Sequence, residues 1–188
     1  EGRATIALAH PNLISVYHYG FSSAGAPFIV MEYVDGKGLD KMLDQVGHLE
    51  MADFIEIFMQ ACDALGHAHD RGIIHRDLKP SNLMLVNLGK KERLVKIVDF
   101  GISKILPHGR FPGQDLTNAG DVVGSPLYMS PEQCKGLTLD GRSDIYSLGC
   151  VMYQAISGAL PFLGENALQT LSKHICDPPP KFKEIAPD

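Results

Sequence analysis

An α+β fold, a small stranded part leading into a larger helical one, is predicted by three observations. Near the start, two runs of β-branched and aromatic residues flank a turn-rich stretch. Further on, apolar residues recur at three and four positions from about Ala52 to Arg71, and a second apolar segment runs from Ser143 to Ser157. Between these helical segments two short apolar runs flank Asn87 to Lys90, as a hairpin would.

Taken in order, Glu1 to Ala9 reads as the end of a helix stopped by His10-Pro11-Asn12. Leu13 to Tyr19 and Phe28 to Tyr33 read as strands separated by Ser22, Ser23, Gly25 and Pro27. Leu39 to Gly47 is a short helix. Phe54, Phe58, Ala61, Leu65 and Ala68 mark the face of the long one, with Gly72 past its end. Leu83 to Val86 and Leu94 to Val98 are the hairpin strands. From Ile102 to Pro131 the chain turns rich in Gly, Pro and polar residues, longer than a packing loop requires. Ser143 to Ser157 is apolar on every face and reads as a buried helix ended by Gly158 and Pro161. Ala167 to His174 is a further helix, and Asp177-Pro178-Pro179-Pro180 opens an extended tail.

At 188 residues the chain is one domain or a piece of one, long enough to bury roughly 70% of its unfolded surface. A net charge of -5 and the lack of a basic stripe argue against nucleic-acid binding. The cluster Lys90, Lys91, Arg93 and Lys96, broken by Glu92, reads as a solvated turn. No apolar run approaches the roughly 18 to 20 residues that cross a bilayer, so no membrane contact is expected from this segment. Cys62, Cys134, Cys150 and Cys176 lack paired spacing, which fits a reducing cytoplasm, with an anchor outside the segment left open. His67, His69 and His75 match no zinc template and read as structural.

The chemistry concentrates in His75-Arg76-Asp77-Leu78-Lys79-Pro80-Ser81-Asn82 and Asp99-Phe100-Gly101. Phosphoryl transfer needs a hydroxyl held in line with the phosphate, a carboxylate to orient it and take its proton, and cations on the phosphates. Asp77 is a candidate base and Lys79 can reach the transferring phosphate. Asn82 offers an amide oxygen, and Asp99 a carboxylate, to a hard cation such as Mg2+.

These two motifs resemble the catalytic loop and metal-binding triplet of eukaryotic-type serine/threonine protein kinases, in a bacterial phrasing. The resemblance implies a bilobal kinase-like fold, mostly helical C-lobe, divided as residues 1–33 partial N-lobe, 34–38 hinge and 39–188 C-lobe, incomplete at both ends. It implies ATP and Mg2+ as cofactors and protein serine/threonine hydroxyls as acceptors. Met31, Glu32 and Val34 fall at the adenine pocket, the backbone of Glu32 and Val34 bonding the base, and Met84 lies beneath it. Glu1 falls where the regulatory helix pairs a phosphate-binding lysine, against a plain solvent-facing reading.

By the same resemblance Ile102 to Pro131 is an activation segment closing on the docking stretch Gly124 to Glu132. Ser125 and Ser130-Pro131-Glu132 stand where Thr and Ala-Pro-Glu are usual, and Ser125 keeps the hydroxyl expected to bond Asp77 and Lys79. Glu132 is expected to pair an arginine beyond Asp188. Asp144, expensive to bury unbonded, is implied to hold the catalytic-loop backbone. Arg76 is implied to be held by negative charge, with Asp121 as a built-in source and Thr117 as a phosphosite, against an ordinary exposed aspartate. Lacking the phosphate loop and its lysine, the stretch alone is expected to be inactive. The alternative reading is a catalytically dead, kinase-shaped scaffold; Asp77, Lys79, Asn82 and Asp99 together favour catalysis.

Overall fold

In the computed structural model, residues 9–87, 93–100 and 126–182 are described. Strands β1 (Val16–Phe21) and β2 (Pro27–Met31) form an antiparallel ribbon, closed where the Ser22 N–H donates to the Ala26 carbonyl at 2.8 Å. The first strand starts later than its composition suggests. Leu13 instead bridges Ile97 in parallel, and the Ile14 N–H donates to the Ile97 carbonyl at 3.0 Å. Leu13 and Ile14 are buried there, whereas Tyr17, Phe21, Phe28 and Val30 on the ribbon stay exposed, so burial overrides strand propensity.

A second antiparallel sheet runs in the order β3 (Lys37–Gly38), β4 (Leu83–Asn87), β5 (Arg93–Ile97). Its shortest strand has no sequence signal and exists only by pairing with Leu85 and Met84. The basic cluster is corrected here. Arg93 Nη1 lies 2.6 Å from Asp53 Oδ1 and Lys96 Nζ 2.8 Å from both carboxylate oxygens of Glu32, so these two cations are strand residues with partners. Lys90 and Lys91 fall outside the described residues.

The helices are α1 (Leu39–Val46), α2 (Met51–His69), α3 (Pro131–Cys134), α4 (Gly141–Ser157) and α5 (Ala167–Cys176). Ile57, Ala61, Ala64, Leu65 and Ala68 form the buried face of α2, and Gly72, at φ 71°, takes the chain out of it toward the next loop. Asn12, buried between layers, donates at 2.8 Å to both Gln60 of α2 and the Val95 carbonyl of β5. The expectation that α4 is buried on every face is corrected. Ser143, Asp144, Ser147, Leu148 and Val151 are buried, but Arg142, Ile145 and Gly149, at three- and four-residue spacing, form a strip exposed among the described residues. The α+β class is as expected, the helices outweighing the two small sheets.

Candidate active site

Asp144, near the start of α4, is 1% exposed. Its Oδ2 accepts from the His75 N–H at 2.7 Å and from His69 Nε2 at 2.8 Å; its Oδ1 accepts from the Arg76 N–H at 2.8 Å. A carboxylate is tolerated so deep because every contact is a donor. Glycine at 141 leaves room for His69 beside the start of α4: a Cβ there would stand 2.8 Å from the imidazole Nδ1, so the ring would have to shift. Asp140 caps the helix by accepting from the Arg142 N–H at 2.9 Å, which is why α4 begins two residues before Ser143.

Those bonds hold an unfavourable backbone. Arg76 sits at φ 72° and Asp99 at φ 59°, left-handed conformations that cost a side-chain-bearing residue about 1–2 kcal/mol. At Arg76 both peptide groups are fixed: its N–H by Asp144, and its carbonyl by the Gln133 amide, which donates at 2.6 Å.

His75, fully buried, joins the two motifs. Its Nε2 donates to the Val98 carbonyl at 2.8 Å, its Nδ1 accepts from the Asp77 N–H at 3.3 Å, and its ring packs on Phe100 with centroids 4.7 Å apart. One donating and one accepting nitrogen describe the neutral imidazole. Burial accordingly holds its pKa below the usual histidine range, against the opposing pull of the Val98 carbonyl and of Asp144, Asp77 and Asp99. All three carboxylates thus lie within electrostatic reach of a single ring.

The two motifs are tied by two further bonds. Asn82 donates its amide Nδ2 to the Asp77 carbonyl at 2.8 Å, and the Val98 N–H donates to the Asn82 carbonyl at 2.9 Å. Pairing of Leu83 with Ile97 sets this register, so Asn82 stands opposite Val98 and beside Asp99. Lys79 Nζ is 2.8 Å from Asp77 Oδ2. Asn82 is buried, whereas Asp77 and Asp99 face solvent. Among the described residues the Asp99 carboxylate makes no hydrogen bond, and Asn82 Oδ1 meets only the Ser81 hydroxyl at 3.5 Å. Two hard oxygens left this way suit a hard divalent cation.

At the expected hinge, Met31 ends β2, and the Glu32 N–H donates to the Ser15 carbonyl at 2.8 Å. The Val34 carbonyl accepts from the Gly36 N–H at 3.0 Å. Among the described residues this leaves the Glu32 carbonyl and the Val34 N–H unbonded, an acceptor and a donor two residues apart, as one edge of an adenine requires. The Lys96 hydrogen bond holds the Glu32 carboxyl below the usual range, outweighing its partial burial. Half-buried Met84 pairs with Lys96 across the hairpin and so shares its face.

The described part of the expected docking stretch, residues 126–132, rests on α4. Ser147 donates to the Tyr128 carbonyl at 2.7 Å, and the Tyr128 hydroxyl donates to Gln154 at 2.6 Å, with burial pushing that phenol up to about 12. Glu132 accepts from the Ser143 hydroxyl at 2.6 Å. Desolvation raises its carboxyl, but the hydrogen bonds from Ser143 and neighbouring groups win and leave it below the usual range. Glu1, Gly101, Thr117, Asp121 and Ser125 lie outside the described residues. Sequence reading gave His69 a structural place without its partner, put Lys96 in a solvated turn, and passed over Gln133. Only Gln133 had a local signal, the Ser130-x-x-Gln133 capping box.

The model of the protein kinase domain family matches residues 1–185. The chain is 43% identical over its whole length to the serine/threonine-protein kinase pkn3 of Myxococcus xanthus, covering 34% of that protein. It is 40% identical to the serine/threonine-protein kinase PknB of Mycolicibacterium smegmatis, over 95% of this chain and 28% of that one. A second Myxococcus xanthus protein, serine/threonine-protein kinase Pkn1, is 39% identical over all of this chain and 26% of its own length. The chain therefore spans only between about a quarter and a third of the length of the curated relatives it matches.

Proposed function

The chain belongs to the protein kinase domain family, and from that premise we propose that it is the catalytic part of a serine/threonine protein kinase acting on protein hydroxyls with ATP. The observation that carries this reading is the knot at Asn82, whose amide holds the Asp77 carbonyl while its own carbonyl holds the strand leading into Asp99. A carboxylate for a hydroxyl and a carboxylate for a cation are thereby kept together.

In this reading Asp77 orients the acceptor hydroxyl and takes its proton as the oxygen bonds to the γ-phosphorus. The bond from that phosphorus to the bridging oxygen breaks, and ADP leaves. Lys79, beside Asp77, offsets charge on the transferring group. Asn82 and Asp99 would hold Mg2+, which neutralises the phosphates when bound. The Glu32 carbonyl and Val34 N–H receive the adenine, with Met31 and Met84 lining its pocket. His75 and Phe100 keep the two motifs in contact.

Arg76 Nε is buried and has no partner among the described residues. That supports assigning it an anion from the activation segment: Asp121 as the standing charge, phosphorylated Thr117 as the switchable one. Ser125 is assigned to Asp77 and Lys79, Glu132 to anchoring the docking stretch, and Glu1 to the phosphate-binding lysine.

The test is transfer of labelled γ-phosphate from Mg-ATP to a serine/threonine peptide by the full-length protein. Asp77→Asn should lower turnover by about 10²- to 10⁴-fold while leaving nucleotide affinity nearly intact. A wild-type protein that binds ATP without transferring phosphate would refute the reading and leave a scaffold.

A further inference from the structure

Gln133 has no part in the chemistry assigned above, yet it bridges two functional segments. Its backbone N–H donates to Ser130 Oγ at 3.3 Å and its side-chain Oε1 accepts from the Ser130 N–H at 2.9 Å, a reciprocal cap on α3. Because an N–H must meet an oxygen, that cap fixes which way the amide points. The NH2 group is left facing the Arg76 carbonyl, to which it donates at 2.6 Å across 57 residues of sequence.

The Arg76 carbonyl belongs to the same peptide plane as the Asp77 N–H, which donates to His75 Nδ1 at 3.3 Å. Gln133 and His75 therefore grip that plane from its two ends. The grip has something to hold: rotating that plane would change ψ of Arg76 and φ of Asp77 and swing Asp77 away from its place, while the left-handed φ of 72° at Arg76 is held one plane upstream by the Asp144 bond to its N–H.

We infer that Gln133 is a positioning residue for phosphoryl transfer, its amide fixing the Arg76–Asp77 peptide and referencing the catalytic carboxylate to the substrate-docking stretch. This role rests on the kinase reading. A carboxylate at the same position keeps an oxygen for the Ser130 N–H but has no donor for the Arg76 carbonyl; a thioether keeps the bulk and loses both.

The experiment compares full-length wild type, Gln133→Glu and Gln133→Met in steady-state phosphate transfer, with thermal unfolding and hydrogen exchange of the catalytic-loop peptide alongside. For Gln133→Glu, kcat should fall by about tenfold to a hundredfold, with KM for ATP and peptide within about twofold, because the nucleotide contacts and the Ser130 cap survive. The ratio of its kcat to that of wild type should rise as pH falls, since the protonated carboxyl regains a donor. Gln133→Met should lose kcat and also raise KM for the peptide. Exchange in the Gln133→Glu protein should quicken over His75 to Asp77 while the rest of the chain keeps its protection.

A Gln133→Glu kcat within about twofold of wild type overturns the inference, as does a loss of kcat matched by an equal loss of folded protein. A wild type that transfers no phosphate sinks the kinase reading and the positioning role with it. That failure is distinct, because it is seen before any variant is made.

Discussion

Asp144 and Glu32 are both acidic side chains that fix a backbone segment, and their surroundings are opposite. Asp144 is 1% exposed and takes hydrogen bonds from His69, His75 and Arg76 around a left-handed residue. Glu32 has its side chain 25% exposed and takes the Ser15 N–H at 3.3 Å and Lys96, beside a two-stranded ribbon that leaves Tyr17, Phe28 and Val30 exposed. Where a group must hold strain, the protein isolates it from water so that no alternative partner competes; where it only steadies the entry to a two-stranded ribbon, a partly exposed ion pair suffices.

The widest separation between the two should come from truncation. Asp144→Ala leaves the His75 and Arg76 N–H groups unbonded inside the protein and should cost about 3–5 kcal/mol in denaturant unfolding, with phosphate transfer lost as the loop relaxes. A cost below about 1 kcal/mol would show that water replaces the carboxylate and that the site is not sealed.

Acid should act on the buried side first. The pKa of His75 is depressed in the folded state, so the unfolded chain takes up a proton near pH 6.5 that the folded one refuses. Its stabilising contribution is complete above about pH 6.5 and is lost as pH falls from there toward the folded value. His67 and His174 shift the same way. Glu32 and Glu132, with lowered carboxyl pKa values, add to the loss only below about pH 5. Urea midpoints measured between about pH 7.5 and 5 should decline; a flat profile would contradict a neutral, buried His75.

A gentler probe of the same network is Gly141→Ala, whose added methyl meets the His69 ring. It should cost about 1–2 kcal/mol despite alanine's better helix propensity. Coupling it with His69→Ala should recover most of the loss; no recovery in that double-mutant cycle would place the strain elsewhere.

The smallest effect is expected at the Glu32–Lys96 pair. Lys96→Met should change stability by under about 1 kcal/mol and raise KM for ATP a few-fold without changing kcat. An equal fall in kcat would mean that the Glu32 pair reaches the reacting groups and that the contrast between the two carboxylates is overstated.

How far the sequence could be read depended on whether an interaction was local. The apolar spacing of α2 and the composition of β4 and β5 announced those elements, and the motif residues His75, Asp77, Asn82 and Asp99 stood out before any coordinates. β3 was invisible because two residues, Lys37 and Gly38, become a strand only when Leu85 and Met84 arrive beside them. The solvated-turn reading of Arg93 and Lys96 failed because their partners, Asp53 and Glu32, are 40 and 64 positions away in the numbering. At Gln133 the cap was written locally in Ser130-x-x-Gln133, but nothing local says where the second half of the amide goes. The same limit applies to α4, where a run apolar all round still turned Ile145 outward.

The partnership of Leu83 with Ile97 also constrains how genes for such a protein can drift. Losing one codon within β5 would slide every later residue by one rung, sending Lys96 inward and parting Asn82 from the segment that leads from β5 into Asp99. The Asn87–Arg93 end of the pairing is remote from that contact, so additions beyond it leave the rungs beside Asn82 in step. Length variation among descendants should accordingly collect at the hairpin's far tip and be purged from its rails.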